Sequence, residues 1–148
     1  MRILFISLII YTFNNFCEAN DQNIALIVNK AVEIQQVTRL ELYKIFTNST
    51  DNQYKLICYF MKDSESETPL YGDMNDFIKL ALDDKDMSLV KYKMMILDKI
   101  RKREVKVTLF KGQPEDVISE VVKNNRFIGM VPKSSIVNNL NVKEIFIK

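Results

Sequence analysis

The chain has 148 residues and a formal charge of +2, with 47% apolar and 27% charged residues. This composition predicts one folded domain around a single core. The absence of histidine excludes a Ser/His/Asp triad, a Cys/His catalytic pair and any zinc site that contains histidine. The three glycines are too far apart for a glycine-rich nucleotide-binding loop. The sequence therefore favours binding over catalysis, and we expect no enzyme activity, metal or cofactor.

The first 19 residues have the layout of a secretory signal peptide. A positive charge at Arg2 precedes an apolar run over residues 3–13, and small side chains stand three and one residues before the expected cleavage point after Ala19. The apolar run is shorter than the ~20 residues of a membrane-spanning helix. We therefore expect a periplasmic or secreted domain over residues 20–148 with no stable membrane span. The alternative is an uncleaved membrane anchor or lipid attachment at Cys17.

The first part of the mature chain predicts strand, helix, strand. Residues 24–28 form a short apolar run typical of a buried strand, and Thr38 and Glu41 have the spacing of a capping box that opens a helix ending at Phe46. The continuous apolar run over residues 54–61 indicates a strand covered on both faces, which we expect at the centre of the sheet. Cleavage would remove Cys17 and leave Cys58, inside this run, as a buried and unreactive thiol.

Two amphipathic helices should follow, because apolar residues recur at intervals of three and four. The first carries Met74, Phe77, Ile78, Ala81 and Leu82 on its core side. The second runs from Ser88 to about Arg103 with its lysines and arginines outward, and the members of its core side are Leu89, Tyr92, Met95, Ile96 and Ile100. The apolar run from Met94 to Leu97 is interpreted as core packing.

The last part of the chain predicts strand, helix and two closing strands. Val105, Val107 and Leu109 alternate with polar residues as in a half-buried strand, and Pro114 suits the first turn of a helix. That helix should bury Val117, Ile118, Val121 and Val122. Strands are expected over residues 127–131 and 142–147, joined through a Ser134-Ser135 turn that can hold a brief helix. Strands alternating with helices predict an α/β sandwich.

Several short motifs give the chain a resemblance to a known family. They are Val28-Asn29, the stretch from Val37 to Leu42 leading to Ile45-Phe46, Glu67-Thr68-Pro69-Leu70 followed by Phe77, and Phe127-Ile128-Gly129-Met130-Val131. The chain resembles the short phosphate-transporter substrate-binding-protein-like domains, which are relatives of the type 2 periplasmic binding proteins. The resemblance implies a single periplasmic-binding-protein-like lobe with a mixed sheet of about five strands flanked by helices.

The resemblance also implies a candidate oxyanion site in the loop over residues 62–69. In the family this loop presents hydroxyls and backbone amides to an oxyanion, at the positive end of the following helix. In this sequence Ser66 and Thr68 would donate hydroxyl hydrogen bonds, Lys62 would add positive charge, and Ser64 belongs to the same candidate site.

The same loop supports a second interpretation. Asp63, Glu65 and Glu67 would repel a phosphate, and Glu67 stands where the family has a glycine. In this alternative, Thr68 or Ser66 merely caps a helix.

Two functions are therefore expected. The first is an exported, non-enzymatic solute-binding-like protein that binds phosphate or another oxyanion, in or beside an ABC uptake system with a membrane transporter as partner. The second is an envelope interaction or sensor module that keeps the fold without a small-molecule pocket. The basic cluster formed by Lys99, Arg101, Lys102, Arg103 and Lys106 indicates a solvated helix end, so no nucleic-acid partner is expected.

Overall fold

The computed structural model describes residues 23–47, 53–62, 65, 67–104 and 109–148. The expected signal peptide, Cys17, Ser64, Ser66 and the first part of the predicted strand at Val105 and Val107 lie outside the described residues. In the described part of the chain, no helix has the length and apolar character needed to cross a membrane.

The elements follow the predicted order along the chain. They are β1 (Ile24–Asn29), β2 (Gln36–Val37), α1 (Arg39–Phe46), β3 (Lys55–Tyr59), α2 (Pro69–Leu82), α3 (Leu89–Arg101), β4 (Leu109–Lys111), α4 (Pro114–Lys123), β5 (Phe127–Pro132), a 3-10 helix (Lys133–Ile136) and β6 (Val142–Ile147). The α/β class is confirmed. The described sheet has six strands rather than about five, because the two-residue β2 is too short to leave a pattern in the sequence.

The sheet is mixed, with the strand order β2-β6-β1-β5-β3-β4. β1 is antiparallel to both β5 and β6, whereas β3 is parallel to both β5 and β4. β3 is therefore an interior strand, as its apolar run requires, but β1 and β5 occupy the middle of the sheet. The expected central position of β3 is correct only to that extent, because an apolar run reports cover on both faces and not the strand order.

Helices cover both faces of the sheet. Gly129 in β5 and its partner Ile27 in β1 face α4, since a Cβ at position 129 would lie 2.8 Å from Ile27 and 2.9 Å from Val117. Cys58 points to the opposite face, towards Tyr92 of α3. The thiol of Cys58 is buried as predicted, and this burial raises its pKa and keeps it protonated.

The first two helices begin and pack as predicted. The Thr38 hydroxyl accepts from the Glu41 N–H, and the Glu41 carboxylate accepts from the Thr38 N–H at 2.7 Å, which completes the capping box of α1. α2 buries its whole predicted core side, and Thr68 stands at its N-cap.

The prediction for α3 is partly wrong. Leu89, Tyr92 and Ile96 are buried and Met95 and Ile100 are half-buried, but Met94 and Leu97 are 65% and 45% exposed. Four successive residues in a helix spread over about 300° of its circumference, so the run from Met94 to Leu97 cannot lie wholly in the core.

Candidate functional site

The predicted loop lies at one particular edge of the sheet, which we call the carboxyl edge. β3, β4 and β5 are mutually parallel and end there, at Tyr59, Lys111 and Pro132. β1 is antiparallel to β5 and starts at the same edge. Two helices begin beside it, because α2 follows β3 and α4 follows β4. A helix N-terminus offers unpaired N–H groups and partial positive charge, so this edge is suited to anions by its backbone.

Thr68 caps α2 with its side chain. The hydroxyl accepts from the Tyr71 N–H at 3.4 Å and donates to the carbonyl oxygen of Glu65 at 2.8 Å. Pro69 follows in the first turn, where its missing N–H costs no hydrogen bond. The Thr68 hydroxyl is therefore already hydrogen-bonded within the chain, as the capping interpretation expects.

The backbone of Lys62 is hydrogen-bonded to Glu65 in the same loop. Its backbone N–H donates to Oε2 of Glu65 at 3.1 Å, and the N–H of Glu65 donates back to the carbonyl of Lys62 at 2.9 Å. The Lys62 residue is exposed. Glu65 thus occupies one of the amides that the candidate oxyanion site would present.

A groove adjoins the start of α2. It has a volume of ≈ 360 Å³, and its lining residues are Asn23, Thr68, Pro69, Leu70, Asp73, Pro132 and Ser134. Inside it, Nδ2 of Asn23 donates to Oδ2 of Asp73 at 2.8 Å. The structure therefore brings Thr68 together with Ser134, which lies two residues after the end of β5.

The predicted site loop contains Thr68 and Pro69, but the sequence did not indicate the other polar residues of the groove. Asn23, Asp73 and Ser134 come from three separate segments, and no spacing in the sequence relates them. If the parallel pairing of β3 with β5 had been known, it would have placed Ser134 near Thr68, because parallel strands end at the same edge of a sheet.

Several acidic side chains lie at the carboxyl edge, beside the lysines at positions 62, 111 and 133. Glu67 lies just before the start of α2, and Asp73 lies in its second turn. Glu115 and Asp116 lie in the first turn of α4. Burial raises the pKa of the Tyr59 hydroxyl, and the negative charges of Glu65 and Glu115 raise it further. The backbone at this edge favours an anion, whereas these carboxylates oppose one.

Two solved structures are similar to this chain. One is the crystal structure of a possible phosphate binding protein from Planctomyces limnophilus DSM 3776, with a TM-score of 0.57, 13% identity and 85% of this chain covered. The other is the crystal structure of an ABC-type phosphate transport receptor from Vibrio cholerae, with a TM-score of 0.52, 18% identity and 84% coverage. The chain has a phosphate-binding-protein-like fold. The fold expected from the motifs is thereby confirmed.

The match covers only part of each similar structure. The chain spans 41% of the Planctomyces protein and 46% of the Vibrio protein, which is less than half of each. The mixed sheet of the described residues, with helices on both faces, corresponds to one periplasmic-binding-protein-like lobe. No family model and no curated protein sequence matches the chain.

Proposed function

We propose that the protein is a non-enzymatic, exported binding protein that binds an oxyanion such as phosphate at the carboxyl edge. It would act in or beside an ABC uptake system. The candidate residues are Lys62, Ser64, Ser66 and Thr68. The observation that carries the proposal is the position of α2, whose N-terminus opens beside a groove of ≈ 360 Å³ that contains Thr68 and Ser134. The phosphate-binding names of the two similar structures support the choice of ligand.

Binding at this site should be weak, for two physical reasons. A single lobe offers one wall of a cleft, whereas small-molecule sites bury most of their ligand. The Glu65 carboxylate also occupies the Lys62 amide and repels an anion placed beside it. Tight binding would need a second wall from outside the described lobe.

Calorimetric titration of the purified protein with phosphate and with sulfate tests the proposal. Replacing Glu65 by Gln removes one negative charge from the loop. Repulsion between two charges ~4 Å apart in water costs about 1 kcal/mol, so we expect the Gln variant to bind phosphate roughly fivefold more tightly. Ser66→Ala should weaken it. Asp98→Asn is the matched control, because it removes an equal charge on α3, outside the groove, and should leave the affinity unchanged.

Absence of heat at millimolar phosphate and sulfate, for both the native protein and Glu65→Gln, would remove the oxyanion proposal. It would favour the second candidate, an envelope interaction or sensor module that keeps the fold without a small-molecule pocket. The acidic carboxyl edge is the observation in favour of this candidate, since Glu65 fills the loop amide and Asp73 lines the groove.

A further inference from the structure

α3 has a second apolar stripe on the side that faces away from the core. Its core side consists of Leu89, Tyr92 and Ile96, all buried. On the outer side, Val90, Met94 and Leu97 are 42%, 65% and 45% exposed. We call Val90, Met94 and Leu97 the outer stripe. The core of the described fold is packed through the first face alone, so the outer stripe has no role within that fold.

The spacing of the outer stripe matches a helix-helix seam. Its members are separated by four and three residues, and Arg101 continues the row after a further four. At 100° per residue these positions fall within about 60° of the helix circumference and extend over ~16 Å, or three turns. A stripe this narrow accommodates one facing helix, as in a coiled coil, whereas helices that lie on membranes have a broad apolar face.

The charges around the outer stripe are mostly positive. Lys91, Lys93 and Arg101 lie on this side of α3 with one acid, Asp98. Lys99 lies on the opposite side, where its ammonium donates to the Thr47 carbonyl. The Asp98 carboxylate pairs with both Arg101 and Lys102, so it is shared between two cations. These ion pairs lower the pKa of Asp98.

Two of the flanking lysines are held in place along the helix. The Lys91 ammonium donates to the carbonyl of Asp86 at 2.9 Å, and the Lys93 ammonium lies 4.0 Å from the centre of the Phe60 ring. The stripe therefore has cationic groups at defined positions beside it.

This charge pattern selects the partner. Two copies of the chain packed through α3 would bring like charges together, which opposes a symmetric dimer at this face. A helix whose apolar residues are flanked by Asp or Glu would instead meet opposite charges on both sides. We propose that the outer stripe of α3 docks an amphipathic, acidic helix of a partner protein. The proposal does not depend on oxyanion binding at the carboxyl edge.

The probe for this surface is a labelled synthetic helix of three heptads, with Leu at the a and d positions and Glu at the e and g positions. A second peptide has Lys in place of every Glu. We expect fluorescence anisotropy to show binding of the acidic peptide at least tenfold tighter than that of the basic peptide. The difference should shrink as salt is added, because salt screens the flanking charges.

Met94→Ser with Leu97→Ser should weaken binding of the acidic peptide at least tenfold. The matched control is Val137→Ser with Leu140→Ser, which changes two apolar residues that are more exposed, at 68% and 76%, and lie in the loop before β6. The control should bind as the native protein does. All four residues are exposed, so both double variants should keep the native unfolding midpoint.

Equal affinity for the two peptides, or an unchanged affinity in the Met94/Leu97 variant, would overturn the proposal. Two further measurements identify the competing occupants. Binding to anionic phospholipid vesicles that is lost in the Met94/Leu97 variant, without binding of the acidic peptide, would assign the surface to a membrane. A dimer in sedimentation that depends on Met94 and Leu97 would assign it to a second copy.

Discussion

At the scale of single residues, Gly129 sets the distance between the sheet and α4. A Cβ at this position would lie 2.8 Å from Cγ1 of Ile27, 2.9 Å from Cγ1 of Val117 and 3.0 Å from Cγ2 of Val121. Three branched side chains therefore occupy the space that any other residue would need. The glycine of the Ile128-Gly129-Met130 motif is explained by close packing in the core and not by the ligand.

Gly129→Ala should destabilise the protein by about 1–3 kcal/mol, because the added methyl group overpacks the contact between β5 and α4. The matched control is Gly72→Ala in α2, where a Cβ meets nothing within 4 Å. There the substitution should stabilise the protein by about 0.5–1 kcal/mol, since alanine favours the helix. Urea unfolding followed by circular dichroism measures both. Equal effects of the two substitutions would contradict this account of Gly129.

At the scale of elements, α1 is an eight-residue helix that depends on its first turn. Hydrogen bonds from the Thr38 N–H and hydroxyl lower the pKa of Glu41. A helix this short is marginal by itself, so its capping box and the burial of Leu42, Ile45 and Phe46 have to stabilise it.

The lowered pKa of Glu41 has a consequence for stability. The stabilisation is present above the unfolded-state pKa of about 4.3 and is lost as the pH falls through the lower folded-state pKa. Glu41→Gln should cost ~0.3–1 kcal/mol at pH 7, and the difference from the native protein should shrink towards pH 3. Unfolding midpoints measured from pH 7 to pH 3 check this, with Glu33→Gln, an exposed residue before β2, as control. A difference that grows with acid would contradict the sign.

At the scale of the whole molecule, one hydrophobic cluster joins all the layers. It includes Leu26 and Met130 of the central strands, Phe77 of α2, Tyr92 of α3 and Val121 of α4. The buried Tyr92 hydroxyl also donates to the Phe46 carbonyl at 2.8 Å and so ties α3 to the end of α1. These contacts join residues that are distant in sequence.

A single core of this kind should unfold in one step, although the chain covers less than half of each of the two similar structures. We expect urea transitions followed by circular dichroism and by tyrosine fluorescence to coincide, with a slope of about 1–3 kcal/mol/M. Two separated transitions would show that the lobe is not one cooperative unit.

Local pattern determined most of the elements of this protein. The capping residues, the apolar spacing of α2 and the continuous apolar run of β3 predicted their positions, because periodicity and capping are set by neighbours in sequence. The short motifs, including Ile128-Gly129-Met130, indicated the phosphate-binding-protein-like fold. Lys62 and Thr68 were predicted to lie in the loop before α2, and the structure places them there.

Only the tertiary structure decided which segments meet. The order of the strands, the two-residue β2 and the arrival of Ser134 beside Thr68 depend on pairing between distant parts of the chain. The exposure of Met94 and Leu97 likewise depends on which side of α3 meets the core, and a helix with apolar residues on two sides leaves this undecided. The physical reason is that a pattern along the chain records which residues avoid water, whereas their partners are chosen by packing across the whole fold.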